Sequence, residues 1–182
     1  MNLEEAIIHL DVKLPDKITK KFIEYIDYKA KKKMLVADGL NTDTRNVFGH
    51  HLNESSITDK VLFNVVKDII WNYYFNYKAK FKLLTIGTLN QVDILKYTPG
   101  GKYEVHCDHG TLHNRTLSVI INLNEGYEGG DLVFYEPNCV DEVKRIKCKA
   151  GTIVMFPSVF LYPHKIEPIT KGQRYSIVSW LV

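Results

Sequence analysis

A mainly β fold with α support is what this sequence predicts, on three observations. Before residue 82, two stretches carry apolar side chains at helical spacing. From about residue 83 onward that spacing gives way to short β-branched runs: VDILKY, TLSVIINL, GDLVFY, GTIVMF and RYSIVSWLV. The turn-formers PGG, NEGYEGG and EPN separate them. Such a pattern reads as an antiparallel barrel or sandwich of short strands, with two helices packed against it. No repeat or linker interrupts the 182 residues. One domain is therefore expected, with residues 1–82 as helical support and lid and residues 83–182 as the β-barrel.

The elements follow in order. Pro15-Asp16 is a strong helix start, and Ile18, Phe22, Tyr25 and Ile26 then share one face. The run Lys31-Lys32-Lys33 suits a helix C-terminus, where cations meet the partial negative charge, and is expected to be a solvated helix end. Residues 36–54 are rich in Gly, Asn and Asp and weakly periodic, either irregular loop or short edge strands. A capping-box-like start at Ser55-Ser56 with Asp59 opens the second helix. Its stripe is Leu62, Val65, Val66, Ile69, Ile70 and Tyr73, and the aromatics from Trp71 to Tyr77 are expected to be core.

Composition excludes several classes. At 45% hydrophobic and 25% charged the chain is not intrinsically disordered. It has no membrane-length apolar run, and its acidic, broken start does not read as a secretory signal. Cys107, Cys139 and Cys148 are an odd number without metal-ligand spacing, so reduced thiols and a cytoplasmic location are expected. A net charge of +3 without a basic patch gives no support for a nucleic-acid partner. Richness in Lys, Ile and Asn fits an AT-rich genome of a phage, virus or low-GC bacterium. Arginine is scarce: of 24 basic residues only Arg45, Arg115, Arg145 and Arg174 are arginine. Each merits a question, because the planar guanidinium binds carboxylates in a way lysine cannot.

The chemistry gathers late in the chain. In an extended segment His106 and Asp108 project to one face and reach one point together. His164, just after the apolar run TIVMFP, is a candidate third ligand. Two imidazoles and one carboxylate make the facial triad of non-haem Fe(II) oxygenases, which leaves coordination positions open; zinc is compatible with the same ligand types. Arg174 follows ten residues after His164. If the chain turns at Lys171-Gly172 and returns beside the His164 strand, Arg174 points into the same cavity. There it requires an anion, since its charge cannot be removed. A dicarboxylate whose other end chelates the metal supplies one.

These residues, together with further motifs, resemble the Fe(II)- and 2-oxoglutarate-dependent dioxygenases, in the prolyl 4-hydroxylase-like (Pro/Lys hydroxylase domain) branch. The matching elements are Tyr97-Thr98-Pro99-Gly100-Gly101, Tyr103 three residues ahead of His106, His106-Cys107-Asp108 and Arg115-Thr116-Leu117-Ser118. Asn122-Leu123-Asn124, Gly129-Gly130-Asp131-Leu132 with Phe134, and Phe156-Pro157 follow. The stretch from His164 through Pro168, Gly172 and Arg174 to Trp180 is the most specific. The resemblance implies a double-stranded β-helix, a jelly-roll-like barrel, buttressed by the N-terminal helices. It implies that His106, Asp108 and His164 bind Fe(II), that Arg174 pairs with the distal carboxylate of 2-oxoglutarate, and that Tyr97 adds a hydroxyl hydrogen bond there. Trp180 is placed near the metal, as packing or as a pocket wall, and Arg45 on the substrate side. Asn122 departs from relatives that carry a second co-substrate-binding tyrosine there.

The activity so implied is hydroxylation of an amino-acid side chain, prolyl residues of a peptide or protein first, with release of succinate and CO2. O2 is the other co-substrate, and ascorbate is a candidate reductant. The alternatives are the same chemistry on a lysyl residue, a small molecule or a nucleobase. The last is weakened because no basic-aromatic interleaving appears in the lid. Among the remaining polar residues, His50 and His51 are expected to be solvated in the lid loop, and His109 and His113 to lie at the surface or behind the ligands. Cys107 is expected to be a small packed residue, Asp131 to hydrogen-bond locally, Arg115 to have a structural partner and Arg145 to be solvated.

Overall fold

The computed structural model describes residues 3–12, 14–36, 39–82, 84–111 and 113–182. After a single 3-10 turn at Leu3–Ala6 come β1 (Ile8–Asp11), α1 (Asp16–Lys29), β2 (Lys32–Lys33), β3 (Arg45–Asn46), β4 (Phe48–His51) and α2 (Ile57–Lys80). The strands β5 (Leu89–Tyr97), β6 (Lys102–His106), β7 (Leu117–Asn122), β8 (Glu128–Gly129) and β9 (Leu132–Tyr135) follow. The chain closes with β10 (Glu142–Ile146), β11 (Thr152–Pro157), β12 (His164–Ile166), β13 (Ile169–Lys171) and β14 (Arg174–Leu181). A seven-stranded sheet runs β1-β11-β7-β14-β5-β4-β2 and a five-stranded sheet runs β10-β9-β12-β6-β3. All the pairings are antiparallel, and together the sheets form the double-stranded β-helix. No helix among the described residues is long and apolar enough to cross a membrane.

The period-two geometry of a strand explains why the larger sheet is buried on both faces. Val92, Ile94, Val119, Ile121, Ile153, Met155 and Ile177 join Phe22 and Ile26 of α1 and Val66 and Ile70 of α2 in one cluster. Their neighbours Leu95, Tyr97, Ile120, Val154 and Phe156 point the other way, meeting Leu132, Phe134 and Ile166 of the smaller sheet. Phe22 and Ile26 are almost wholly buried, each burial contributing roughly 1.5–3 kcal/mol. In β14 the same alternation sends Tyr175 and Ile177 to the helices. Arg174, Val178 and Trp180 go to the interior between the sheets.

The N-terminal region adds strands to its two helices: β3 and β4 are the short strands that one reading of residues 36–54 expects, whereas β1 and β2 are unexpected. It contributes β1 and β2 to opposite edges of the larger sheet, β4 between β2 and β5, and β3 to the edge of the smaller sheet. β1 docks on β11 because Gly151 adopts φ +82°, with the ideal position of a Cβ only 1.8 Å from the Val12 carbonyl oxygen. α1 ends at Lys29, so the lysine run is not a solvated helix end: Lys32–Lys33 is the edge strand β2, and the Lys33 ammonium lies 3.8 Å over the Phe48 ring. The α2 start holds, with Ser56 as N-cap accepting from the Asp59 backbone N–H at 3.4 Å. The buried Asp59 carboxylate then accepts from the Tyr25 hydroxyl at 2.6 Å and meets His50 Nε2 at 3.0 Å, tying α1, β4 and α2 together.

Candidate metal centre and its cavity

β6 ends on His106, and Asp108 follows two residues later. β12 opens on His164, directly opposite His106 in the antiparallel pair. One donor atom from each of the three side chains lies within 4.8 Å of the others, and they form the metal-capable cluster found among the described residues. His106 Nε2 is 3.6 Å from Asp108 Oδ1, and His164 Nε2 is 3.7 Å from Asp108 Oδ2.

The surroundings orient these donors. His106 Nδ1 donates to the Glu104 carbonyl at 2.8 Å and His164 Nδ1 to the Tyr162 carbonyl at 3.1 Å. A carbonyl only accepts, so each ring carries its proton on Nδ1 and turns a bare Nε2 toward Asp108. Ser118 Oγ donates to Asp108 Oδ2 at 2.6 Å. Tyr103 stacks on the His106 ring at 3.5 Å, while Phe156 sets its edge against His164. Burial, and then the adjacent His106 ring, push the His164 pKa down to about 4, which keeps it a neutral ligand. Burial opposes ionisation of Asp108, but His164, His106 and the Ser118 hydroxyl outweigh it and hold the carboxyl well below the usual range. Two neutral imidazoles and one carboxylate on one side of a cavity fit a divalent cation that keeps open coordination positions.

Arg174 shares that cavity from the opposite sheet. The strand that carries it does not return beside the His164 strand, as the turn at Gly172 suggested. β14 lies between β7 and β5 in the larger sheet, and β12 between β9 and β6 in the smaller one. The inward face of β14 therefore aims the guanidinium across the barrel. Arg174 is fully buried, and its one hydrogen bond goes from Nη1 to Ser176 Oγ at 3.4 Å. Nε and Nη2 have no partner, and no ion pair reaches the group among the described residues. Tyr97 faces it in register on β5, with the guanidinium carbon 5.2 Å from the ring centroid. Orphaned donors on a buried cation fit a carboxylate ligand.

All seven residues singled out from the sequence, His106, Asp108, His164, Arg174, Tyr97, Arg45 and Trp180, line this inner cavity. An outer cleft of about 530 Å³ adjoins it, lined by Arg45, Arg115, Asp108, Trp180, His51 and Asp93 among others. Tyr127 was not legible in the sequence. Its hydroxyl lies 3.2 Å from Asn122 Oδ1 and 3.1 Å from the Cys148 carbonyl oxygen. The absent Cβ of Gly130 leaves room for both Tyr127 Cε2 and Arg174 Cδ, 3.3 and 3.2 Å from where it would sit. A tyrosine thus stands near Arg174 from a loop, beside the position where Asn122 departs from the family pattern; an aromatic inside the turn NEGYEGG was the available signal.

The remaining polar residues named from the sequence are placed as follows. His50 and His51 lie in β4 rather than in a loop: His50 is half-buried against Asp59, while His51 is exposed, as expected, with Nδ1 2.5 Å from the buried Asp93. Arg145 is exposed, as expected, and also pairs with Glu142, Glu167 and Asp131, so Asp131 bonds beyond its own turn. Arg115 has structural partners, as expected: it donates to the Asp108 carbonyl and Gln91 Oε1 and stacks on Trp180, which places it at the cleft. Cys107 is partly buried, with its thiol pushed up to about 11 by burial.

Comparison with known proteins agrees with this geometry. The family model described as the 2OG-Fe(II) oxygenase superfamily matches residues 92–182. A PKHD-type hydroxylase of Parvibaculum lavamentivorans is 31% identical over 90 residues, 47% of this chain and 39% of that protein. Human prolyl 3-hydroxylase 3 is 35% identical over 66 residues, 36% of this chain and 9% of that protein. The chain thus spans well under half the length of these relatives. In fold it is similar to a Trichoplax adhaerens prolyl hydroxylase solved with a hypoxia inducible factor peptide, with a TM-score of 0.79 at 14% identity, over 97% of this chain and 83% of that one. A Pseudomonas putida prolyl-4-hydroxylase gives a TM-score of 0.75 at 19% identity, over 97% and 92%.

Proposed function

Since the chain belongs to the 2OG-Fe(II) oxygenase superfamily, we propose that it hydroxylates prolyl residues of a peptide or protein, releasing succinate and CO2. His106, Asp108 and His164 hold Fe(II) in this reading, and Arg174 with Tyr97 holds the distal carboxylate of 2-oxoglutarate. The observation that carries it is the pair of unpartnered donors on fully buried Arg174, in the cavity that the three metal-capable side chains also line. When bound, the iron supplies activation of O2 for oxidation of both 2-oxoglutarate and a substrate C–H bond.

The protein's own part is positioning. The Nδ1 bonds to Glu104 and Tyr162 fix the two imidazoles, and Ser118 fixes the carboxylate. Phe134 and Phe156 pack beside His164, screening that ligand from water. Trp180 forms a wall between the inner cavity and the outer cleft, where a substrate side chain enters. The prolyl assignment is supported by the named relatives. Its test is incubation of iron-loaded protein with 2-oxoglutarate and proline-containing peptides. The expected result is a peptide gaining one oxygen atom for each succinate released. Succinate without any modified peptide, with modification instead on lysyl peptides or a small molecule, rejects the prolyl assignment.

A further inference from the structure

We propose that the outer cleft recognises a carboxylate of the substrate through Arg45 and Arg115. The proposal rests on the oxygenase reading for what enters the cleft, and on four observations for how it is held.

Both guanidinium groups line the cleft and both residues are less than a tenth exposed, Arg45 9% and Arg115 8%. Each is clamped on an aromatic face, Arg45 at 4.7 Å from the Tyr103 centroid and Arg115 at 3.5 Å from that of Trp180. Every hydrogen bond they make goes to a neutral oxygen. Arg45 Nη1 donates to the Leu35 carbonyl at 2.9 Å. Arg115 donates through Nη1 to the Asp108 backbone carbonyl and through Nη2 to Gln91 Oε1, both at 3.3 Å. The Nε of each is buried without a partner.

The nearby acids are already engaged. Asp93 is taken by His51 at 2.5 Å and by Gln91 at 2.8 Å. Asp108 belongs to the metal-capable cluster. Burial first disfavours the charge on Arg115, the Asp108 and Asp93 carboxylates favour it and Arg45 disfavours it, but among the described residues no hydrogen bond or ion pair joins either guanidinium to a carboxylate. Permanent cations, partly desolvated and held rigid, with spare N–H donors, are arranged for a planar anion. A cleft of about 530 Å³ accommodates a peptide side chain or a small amino acid. A carboxylate reaches it from two sources, an acidic residue flanking the target in a peptide or the α-carboxylate of a free amino acid.

The test uses probe pairs that differ in one carboxylate: proline peptides with Asp or Asn beside the proline, and L-proline against prolinamide. They are titrated calorimetrically into the full chain loaded with Mn²⁺ and 2-oxoglutarate. At least one acid is expected to bind about tenfold or more tighter than its amide twin. Arg45→Gln is expected to bring that ratio near one, and Arg45→Lys to keep part of it. A ratio confined to the peptides assigns the side-chain source, and one confined to proline assigns the α-carboxylate. Equal binding within both pairs overturns the proposal, as does a ratio that survives both Arg45→Gln and Arg115→Gln. Because binding is read without turnover, failure of the oxygenase reading appears separately, as absent succinate with the binding ratio intact.

Discussion

His106 and His164 stand directly opposite each other on neighbouring antiparallel strands, their ring centroids 4.3 Å apart. Both rings present a bare Nε2 to one carboxylate, so the strand register itself assembles the ligand set. Two rings so close cannot both take a proton cheaply. A divalent cation satisfies all three groups at once.

Acid should therefore destabilise the metal-free protein early. In the unfolded chain the His164 imidazole protonates near its ordinary 6.5, whereas in the fold it does so only near 4. Between those values the unfolded state binds more protons, so stability falls as pH is lowered through that window. The loss is on the order of 3 kcal/mol by pH 4. Urea midpoints from pH 7 to 4 measure it, and His164→Gln should flatten the profile.

In the proposed site Ser118 would act on the metal through Asp108. Replacing it with Ala removes the 2.6 Å bond to Oδ2 while leaving all three ligands in place. Metal affinity should fall roughly 10–100-fold. His106→Ala should lose metal binding and 2-oxoglutarate turnover together, and competition with a chelator separates the two variants.

Arg174→Met makes a two-sided prediction. The buried guanidinium has two unpartnered nitrogens, so removing its charge should leave the ligand-free protein no less stable. The same change should weaken 2-oxoglutarate binding by about 2–5 kcal/mol. Thermal melts with and without 2-oxoglutarate read both effects, and a large loss of stability in the ligand-free protein would contradict the cation-site assignment.

Gly151→Ala should detach β1. A left-handed backbone costs a residue with a side chain about 1–3 kcal/mol. Here the added carbon also meets the Val12 carbonyl 1.8 Å away, so the loss should exceed that range. Denaturant unfolding measures it, with metal affinity expected to change far less.

The β region was legible because its strands are short, β-branched and separated by glycine turns, and the candidate site because His106-Cys107-Asp108, His164 and Arg174 carry a recognisable donor pattern in sequence. β1 and β2 were not legible, and β3 only as one of two readings of residues 36–54. Strands of two to four residues carry too few alternations to show a period, and their pairing is decided by partners distant in sequence, such as Ile8 with Met155. The pairing of β14 was hidden for the same reason, since proximity to His164 in sequence says nothing about which sheet receives the strand. Tyr127 and the His51–Asp93 pair depend on that long-range register as well, the latter joining residues that face each other across β4 and β5.

The most direct test of the site is succinate release from 2-oxoglutarate by the iron-loaded protein, compared between the natural chain and Arg174→Met. The natural chain should release succinate, and the variant should do so with a 2-oxoglutarate KM raised by about 30-fold or more. Equal KM values, or succinate release that persists in His106→Ala, would contradict the assignment.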